Sequence, residues 1–317
     1  MPLAPLTTAG VSIVNARTGE PVLLRGINRS GLEYSSLTQA GITAAEIEFI
    51  VQGWHANVIR LPFNQDWALA RPGYDPEPYL QALDFVIQTA AGAGAYTLLD
   101  LQWLDAATPR GTLPGGRANF VPPLPNLASV DLWRQLADRY RDEPAVLYDI
   151  FNEPHDALDD DATPLLGIDA AGVTSPLPAK LVTMDQWQPW ATHLIDAIRS
   201  RNPAALIFVS GVNWAYDLRG FPLPGVDSVV YSTHVYRAKG GNWDDAFGDL
   251  AQTQPVFAAE WGGTDDDVAW GLGLYRYMQR RDMGWTAWSW SDEPRLIDPG
   301  TMQPTPFGNL VRAALAP

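Results

Sequence analysis

The chain has 317 residues, 46% hydrophobic and 18% charged, proportions that exclude disorder and suit one large α/β domain. A formal net charge of −15 leaves no phosphate-neutralising surface, so neutral partners are expected and nucleic acid is not. The absence of Cys excludes disulfides and thiolate chemistry, the four His lack metal-binding spacing, and neither a metal nor a cofactor is expected.

In chain order, the opening MPLAPLTTAG has neither the basic nor the apolar segment of a signal peptide, and no run of 18 apolar residues follows it. The expectation is a soluble monomer away from membranes, secreted or periplasmic with its export signal not in this chain, the cytoplasm being the alternative. Residues 11–24 (VSIVNARTGEPVLL) read as a hairpin turning at Thr18 and Gly19. Apolar runs of strand length recur at 22–28, 57–63, 96–103, 146–152, 205–211, 229–236, 256–262 and 285–290. They are nearly continuous in hydrophobicity, as parallel strands covered on both sides are. Helical periodicity fills intervals at 43–55, 76–94, 129–141, 185–202 and 268–284, with shorter patterns at 243–252 and 305–315. The alternation predicts an α/β fold, a single-domain (β/α)8 TIM barrel over residues 1–317, with the N-terminal β-hairpin closing its lower end. Two long irregular stretches follow the third and fourth strands: 104–128, rich in Pro and Gly, and 155–184, which carries the acidic run Asp159 to Asp161. Both are placed as loops shaping a cleft at the C-terminal face.

In such a barrel the polar residues at C-terminal strand ends are the ones to weigh, because strand interiors have no cheap place for them. They are Arg60, Asp100, Gln102, Asn152, Glu153, Asn213, His234, Tyr236, Glu260 and Trp288. One strand-end Glu alone is as readily half of a buried ion pair. Two of them, with an Arg, an Asn, a His-x-Tyr and a Trp at the same mouth, point to glycoside hydrolysis, which needs one protonated carboxyl for the leaving oxygen and one ionised carboxyl at the anomeric carbon. Arg60 and Tyr236 are suited to keep Glu260 ionised, which leaves Glu153 as the acid. The 13 Trp are mostly packing residues by expectation, yet Trp67, Trp103, Trp214, Trp243 and Trp261 lie near strand ends and form a group of candidate sugar platforms.

The Arg of NVIRLPF at 57–63, NEP at 152–154, THVY at 233–236, AAEWG at 258–262 and WSW at 288–290, in that order, resemble glycoside hydrolase family 5, whose members are retaining (β/α)8 enzymes. The resemblance runs from about residue 22 to residue 315. It implies that Glu153 is the acid/base and Glu260 the nucleophile. It also implies that Asn152 binds the 2-hydroxyl of the reacting sugar, that Arg60 and Tyr236 orient Glu260, that His234 contacts substrate or Glu153, and that Trp288 is the floor under the sugar. The family's D-x-H on the third strand reads Asp100-Leu101-Gln102 here, so a substrate-binding Gln102 that cannot become charged stands in for a His. The implied activity is hydrolysis of a β-glycan polysaccharide or oligosaccharide, endo-β-1,4-glucanase first, with β-mannanase, exo-acting β-glucosidase or β-1,3-glucanase as alternatives. A non-catalytic carbohydrate-binding barrel would have lost a carboxylate. A metal-dependent or aldolase-type barrel would need clustered His or a strand-end Lys, whereas Lys180 and Lys239 fall in predicted loops.

Overall fold

A computed structural model describes residues 3–70, 72–104, 123–157 and 165–316. It begins with an antiparallel hairpin, β1 (Leu6–Ala9) and β2 (Ser12–Asn15). This hairpin turns at Gly10 and Val11, not at Thr18 and Gly19. The second turn exists, with the Gly19 N–H donating to the Asn15 carbonyl, but it returns the chain to a single bridge between Val14 and Pro21. Pro21 has no N–H with which to extend a ladder.

The eight predicted runs form one closed, wholly parallel barrel. Its strands are β3 (Arg25–Asn28), β4 (Val58–Asn64), β5 (Tyr96–Trp103) and β6 (Val146–Asp149). A two-stranded ribbon, β7 (Leu166–Ile168) and β8 (Thr174–Pro176), then interrupts the long loop. The barrel resumes with β9 (Ile207–Ser210), β10 (Val229–Val235), β11 (Val256–Trp261) and β12 (Gly284–Ala287), which pairs back to β3. The ribbon had no signal in the sequence because three-residue strands are too short to show alternation. Residues 105–122 and the acidic run Asp159 to Asp161 lie outside the described residues.

Helices α1 (Ala44–Glu48), α2 (Gln65–Ala68), α3 (Glu77–Ala93), α4 (Leu127–Arg139), α5 (Met184–Arg199), α6 (Val268–Gln279) and α7 (Pro306–Leu315) cover the barrel. Their starts follow capping chemistry: the side chains of Thr43, Asn126 and Thr305 accept the N–H groups of Glu46, Ser129 and Gly308. Gly94 ends α3 at φ 104°, a left-handed conformation that a side chain would resist. The predicted helix at 43–55 divides into α1 and a wider turn over Phe49–Gly53, and 243–252 becomes two short turns, Asp244–Gly248 and Leu250–Gln252. No helix lies between β9 and β10; buried Tyr216, Leu218, Phe221 and Leu223 cover the barrel there instead. No helix among the described residues is long and apolar enough to cross a membrane.

Alternate residues of each strand face the axis. The lower layer is apolar, with Val58, Leu98, Leu147, Phe208, Val230 and Phe257 clustering with Leu6 and Ile13 of the hairpin, which therefore closes the lower end. Two residues further along the same faces the interior turns polar, with Asn28, Arg60, Asp100 and Asp149 fully buried. On β11 the alternation breaks. Ala258 pairs with Thr233 and Trp285, but Glu260 pairs with His234 and Trp261 with Ala287, so Ala259 and Glu260 together face the single Thr286. This is a β-bulge. The Ala259 carbonyl is turned to accept from Asn28 Nδ2 at 2.9 Å and from the Thr286 hydroxyl. Glu260 thereby joins the inward face, and Trp261 returns outward onto Trp285 and Phe307.

Candidate active site

Arg60 is the hub of the barrel mouth. Its Nε donates to Asp149 Oδ2 at 2.9 Å, one terminal nitrogen contacts Glu260 Oε1 at 2.8 Å and Asn28 Oδ1 at 2.9 Å, and the other contacts Asp100 Oδ1 and Asn152 Oδ1, both at 2.9 Å. Burial opposes its charge, but Asp100, Asp149 and Glu260 outweigh that and hold the guanidinium charged. One cation cannot neutralise three buried carboxylates. Burial accordingly raises Asp100 well above the carboxylate range and pushes Asp149 up to about 6, against the pull of Arg60.

Glu153 and Glu260 face each other across His234. A carboxylate oxygen of each and a ring nitrogen of His234 lie within 4.8 Å of one another. His234 Nδ1 is 2.9 Å from Glu153 Oε1 and 3.6 Å from Glu260 Oε2. Burial drives the imidazole down to about 3, so it is neutral at working pH and interacts with Glu153 as donor or acceptor according to tautomer. Burial raises both glutamates, but their partners differ. Glu260 has a guanidinium on one oxygen and the Tyr236 hydroxyl, at 2.7 Å, on the other; Glu153 has neither and is more exposed. Glu260 is thus the better-stabilised anion and Glu153 the better-placed acid. Among the described residues this trio is also the one group close enough to share a metal, but both oxygens of Glu260 are already engaged and Arg60 adds a positive charge.

Asn152 spends its Oδ1 on Arg60 and leaves Nδ2 buried without a well-formed hydrogen bond, acting weakly on the Glu153 carboxylate and available as an N–H donor to a hydroxyl. Gln102 likewise is buried with Oε1 unpaired. Trp288, half-buried, is fixed by its Nε1 to the Glu293 carbonyl at 3.1 Å. Asn213 is exposed and accepts from Lys239. The platform group does not hold together. Trp261 is fully buried outside the barrel because of the bulge, Trp103 is buried against Tyr34, Trp243 packs on Trp270 and Tyr277, and one face of Trp214 is covered by His155. Trp67 stays half-buried against Tyr79.

The family model for cellulase (glycosyl hydrolase family 5) matches residues 16–294. The chain belongs to glycosyl hydrolase family 5. Endoglucanase MaCel5A of Microbulbifer sp. (strain ALW1) is 25% identical over 310 residues, covering 92% of this chain and 52% of that protein. Endoglucanase E-5 of Thermobifida fusca is 24% identical over 306 residues, covering 89% and 56%. The chain therefore spans about half the length of these curated relatives. The β-glucanase SdGluc5_26A of Saccharophagus degradans superposes with a TM-score of 0.76 at 22% identity, covering 99% of this chain and 94% of that one. The catalytic domain of Thermobifida fusca endoglucanase Cel5A, solved with cellotetraose, gives 0.70 at 21% identity, covering 98% and 97%.

In this family 5 barrel the sequence reading missed Asn28 and Asp149 as partners of Arg60, although an Asp inside the apolar run VLYDIF was itself a signal. It also missed Glu33, on the loop after β3. Glu33 is buried, accepts the Gly31 N–H at 2.6 Å, and is pushed up to about 8 by burial, with Asp292 adding to the shift and Arg29 opposing it. A carboxyl that holds its proton more tightly folded than unfolded stabilises the fold below its unfolded value and loses that contribution as pH rises through the folded one. The unfolding free energy is expected to fall by on the order of a few kcal/mol as pH rises from about 5 to 9, and the melting temperature with it. Glu33→Gln should lessen the fall, Asp100 and Asp149 keeping a part of it; an unchanged slope in melts across that range would show that Glu33 does not contribute.

Proposed function

We propose that the chain is a retaining β-glucan hydrolase, most simply an endo-β-1,4-glucanase. The observation that carries this reading is that an oxygen of Glu153 and an oxygen of Glu260 lie within 4.8 Å of each other, a closeness that suits retention, where the carboxyl groups stand about 5–5.5 Å apart, better than inversion, where about 6.5–9.5 Å makes room for a water. The endoglucanase relatives and the cellotetraose complex of a structural neighbour support a β-1,4-linked glucan as the substrate. In the first step the Glu260 carboxylate attacks the anomeric carbon while Glu153 gives its proton to the departing glycosidic oxygen. In the second, Glu153, now a carboxylate, takes a proton from water, whose oxygen displaces Glu260 from the same carbon. Arg60 and Tyr236 hold Glu260, His234 aligns Glu153, Trp288 supports the sugar, and Gln102 offers its unpaired oxygen to a hydroxyl.

A panel of carboxymethylcellulose, mannan, xylan, laminarin and aryl β-glycosides tests the substrate. Turnover of carboxymethylcellulose is expected; hydrolysis confined to mannan or laminarin would reassign the glycan, and inactivity on all would remove the enzyme reading. The Asn152 Nδ2, without a well-formed hydrogen bond, predicts a contact that tightens in the transition state. Asn152→Ala is therefore expected to lower kcat by about 10–100-fold with little change in KM, and a change in KM alone would place Asn152 in ground-state binding.

A further inference from the structure

Lys239 lies in a short turn, Arg237–Lys239, directly after Tyr236 and β10, and Glu153 is the carboxylate whose charge acts on it. Its Nζ donates to the Asn213 carbonyl at 3.1 Å, lies 3.4 Å from Asn213 Oδ1, and sits 5.7 Å from the centre of the Trp214 ring. Asn213, Trp214 and Ala215 all take left-handed backbone, with φ 55°, 60° and 58°. Such residues cost on the order of 1–3 kcal/mol each and persist only where the surroundings enforce them. Here the bridges Gly211–Ala215 and Val212–Asp217 do so. The strained turn stacks Trp214 on His155, with ring centres 3.6 Å apart and planes 12° apart, and lets the Trp214 N–H donate to the Pro154 carbonyl at 3.0 Å. His155 Nδ1 in turn meets the Glu153 carbonyl. The ammonium is thus tied to the backbone that carries Glu153.

Glu153 is faced by His155 from its own loop, His234 from β10 and Tyr236 just past it, Glu260 from β11, Arg60 from β4, and Lys239. Arg60 divides its charge among three carboxylates and His234 is neutral. His155 lies on the loop of Glu153 itself, and Lys239 is the remaining cation facing Glu153, one that forms no ion pair with a carboxylate among the described residues. Burial draws the Lys239 ammonium below the ordinary lysine value while Glu153 pulls it back up.

We propose that Lys239 is a positioning residue for the acid/base, its ammonium favouring the carboxylate that Glu153 becomes once the glycosidic oxygen has taken its proton. This rests on the acid/base reading of Glu153. Removing the cation makes that carboxylate less favourable, so the acid form persists to higher pH. The test is the pH dependence of kcat/KM, on whichever aryl β-glycoside of the panel is hydrolysed fastest, for the wild type, Lys239→Met, Lys239→Arg and Glu153→Gln. The alkaline limb, which reports the acid in the free enzyme, is expected to move up by about half a pH unit or more in Lys239→Met. It should stay in place in Lys239→Arg and vanish in Glu153→Gln. The position of a limb can be read however much activity a variant keeps. A limb that vanishes in Glu153→Gln but does not move in Lys239→Met, or moves equally in Lys239→Arg, overturns the role of Lys239 and leaves the acid/base reading standing. A limb that survives in Glu153→Gln overturns both.

Discussion

Glu260→Ala is expected to lower kcat on any β-glycan the wild type cleaves by roughly four to six orders of magnitude, because no other carboxylate reaches the anomeric carbon from that side. Free azide should restore part of the turnover, entering the vacated space and forming a glycosyl azide of inverted configuration. The fold should survive the change. Arg60 keeps Asp100 and Asp149, and one fewer carboxylate is buried around it, so the melting temperature should be unchanged or higher. Retention of activity within about tenfold of the wild type would remove Glu260 from the nucleophile's place.

The second large effect is on stability. Arg60→Met takes the one cation from among Asp100, Asp149 and Glu260 and should cost about 3–5 kcal/mol at neutral pH, the range for breaking a buried pair from one side. The loss carries its own signature. Without the guanidinium all three carboxyls hold protons more tightly when folded than unfolded, so the variant regains stability as pH falls toward 5 and loses more as it rises. Denaturant melts at pH 5 and pH 7 measure this directly. A deficit below about 1 kcal/mol, or one equal at both pH values, would mean that Arg60 does not neutralise the cluster. Activity should fall too, since Glu260 would no longer be held as an anion.

The barrel was legible because its strands are short, apolar and evenly spaced, and because Gly, Pro and capping residues mark the helix ends. Thr43, Asn126, Thr305 and Gly94 all sit where their chemistry places them. Arg60, Asn152, Glu153, His234, Tyr236 and Glu260 meet at the barrel mouth. What could not be read depends on partners distant in sequence. Asp149 and Asn28 acquire meaning only when the closed sheet brings them to Arg60, 89 and 32 positions away. The platform tryptophans misled because an indole suits a core and a cleft equally, and the side of the strand it takes decides between them. For Lys239 the loop assignment was right; the left-handed turn at 213–215 that receives its ammonium leaves no mark in composition.

The bulge on β11 bears on how this site tolerates change. Strict alternation after Phe257 and Ala259 would put Trp261 inside and Glu260 outside. One extra residue reverses that parity, so the reactive carboxylate owes its place to a count along the chain as much as to its neighbours. Point substitutions at Ala259 alter bulk and leave the count intact. A single-codon deletion there removes the extra residue and leaves Glu260 opposite Thr286 with inward parity, whereas a single-codon insertion adds to the count and turns the glutamate toward the outer layer while every residue named in the site remains in the sequence. Insertion before the glutamate is therefore closed to this strand in a way that substitution is not.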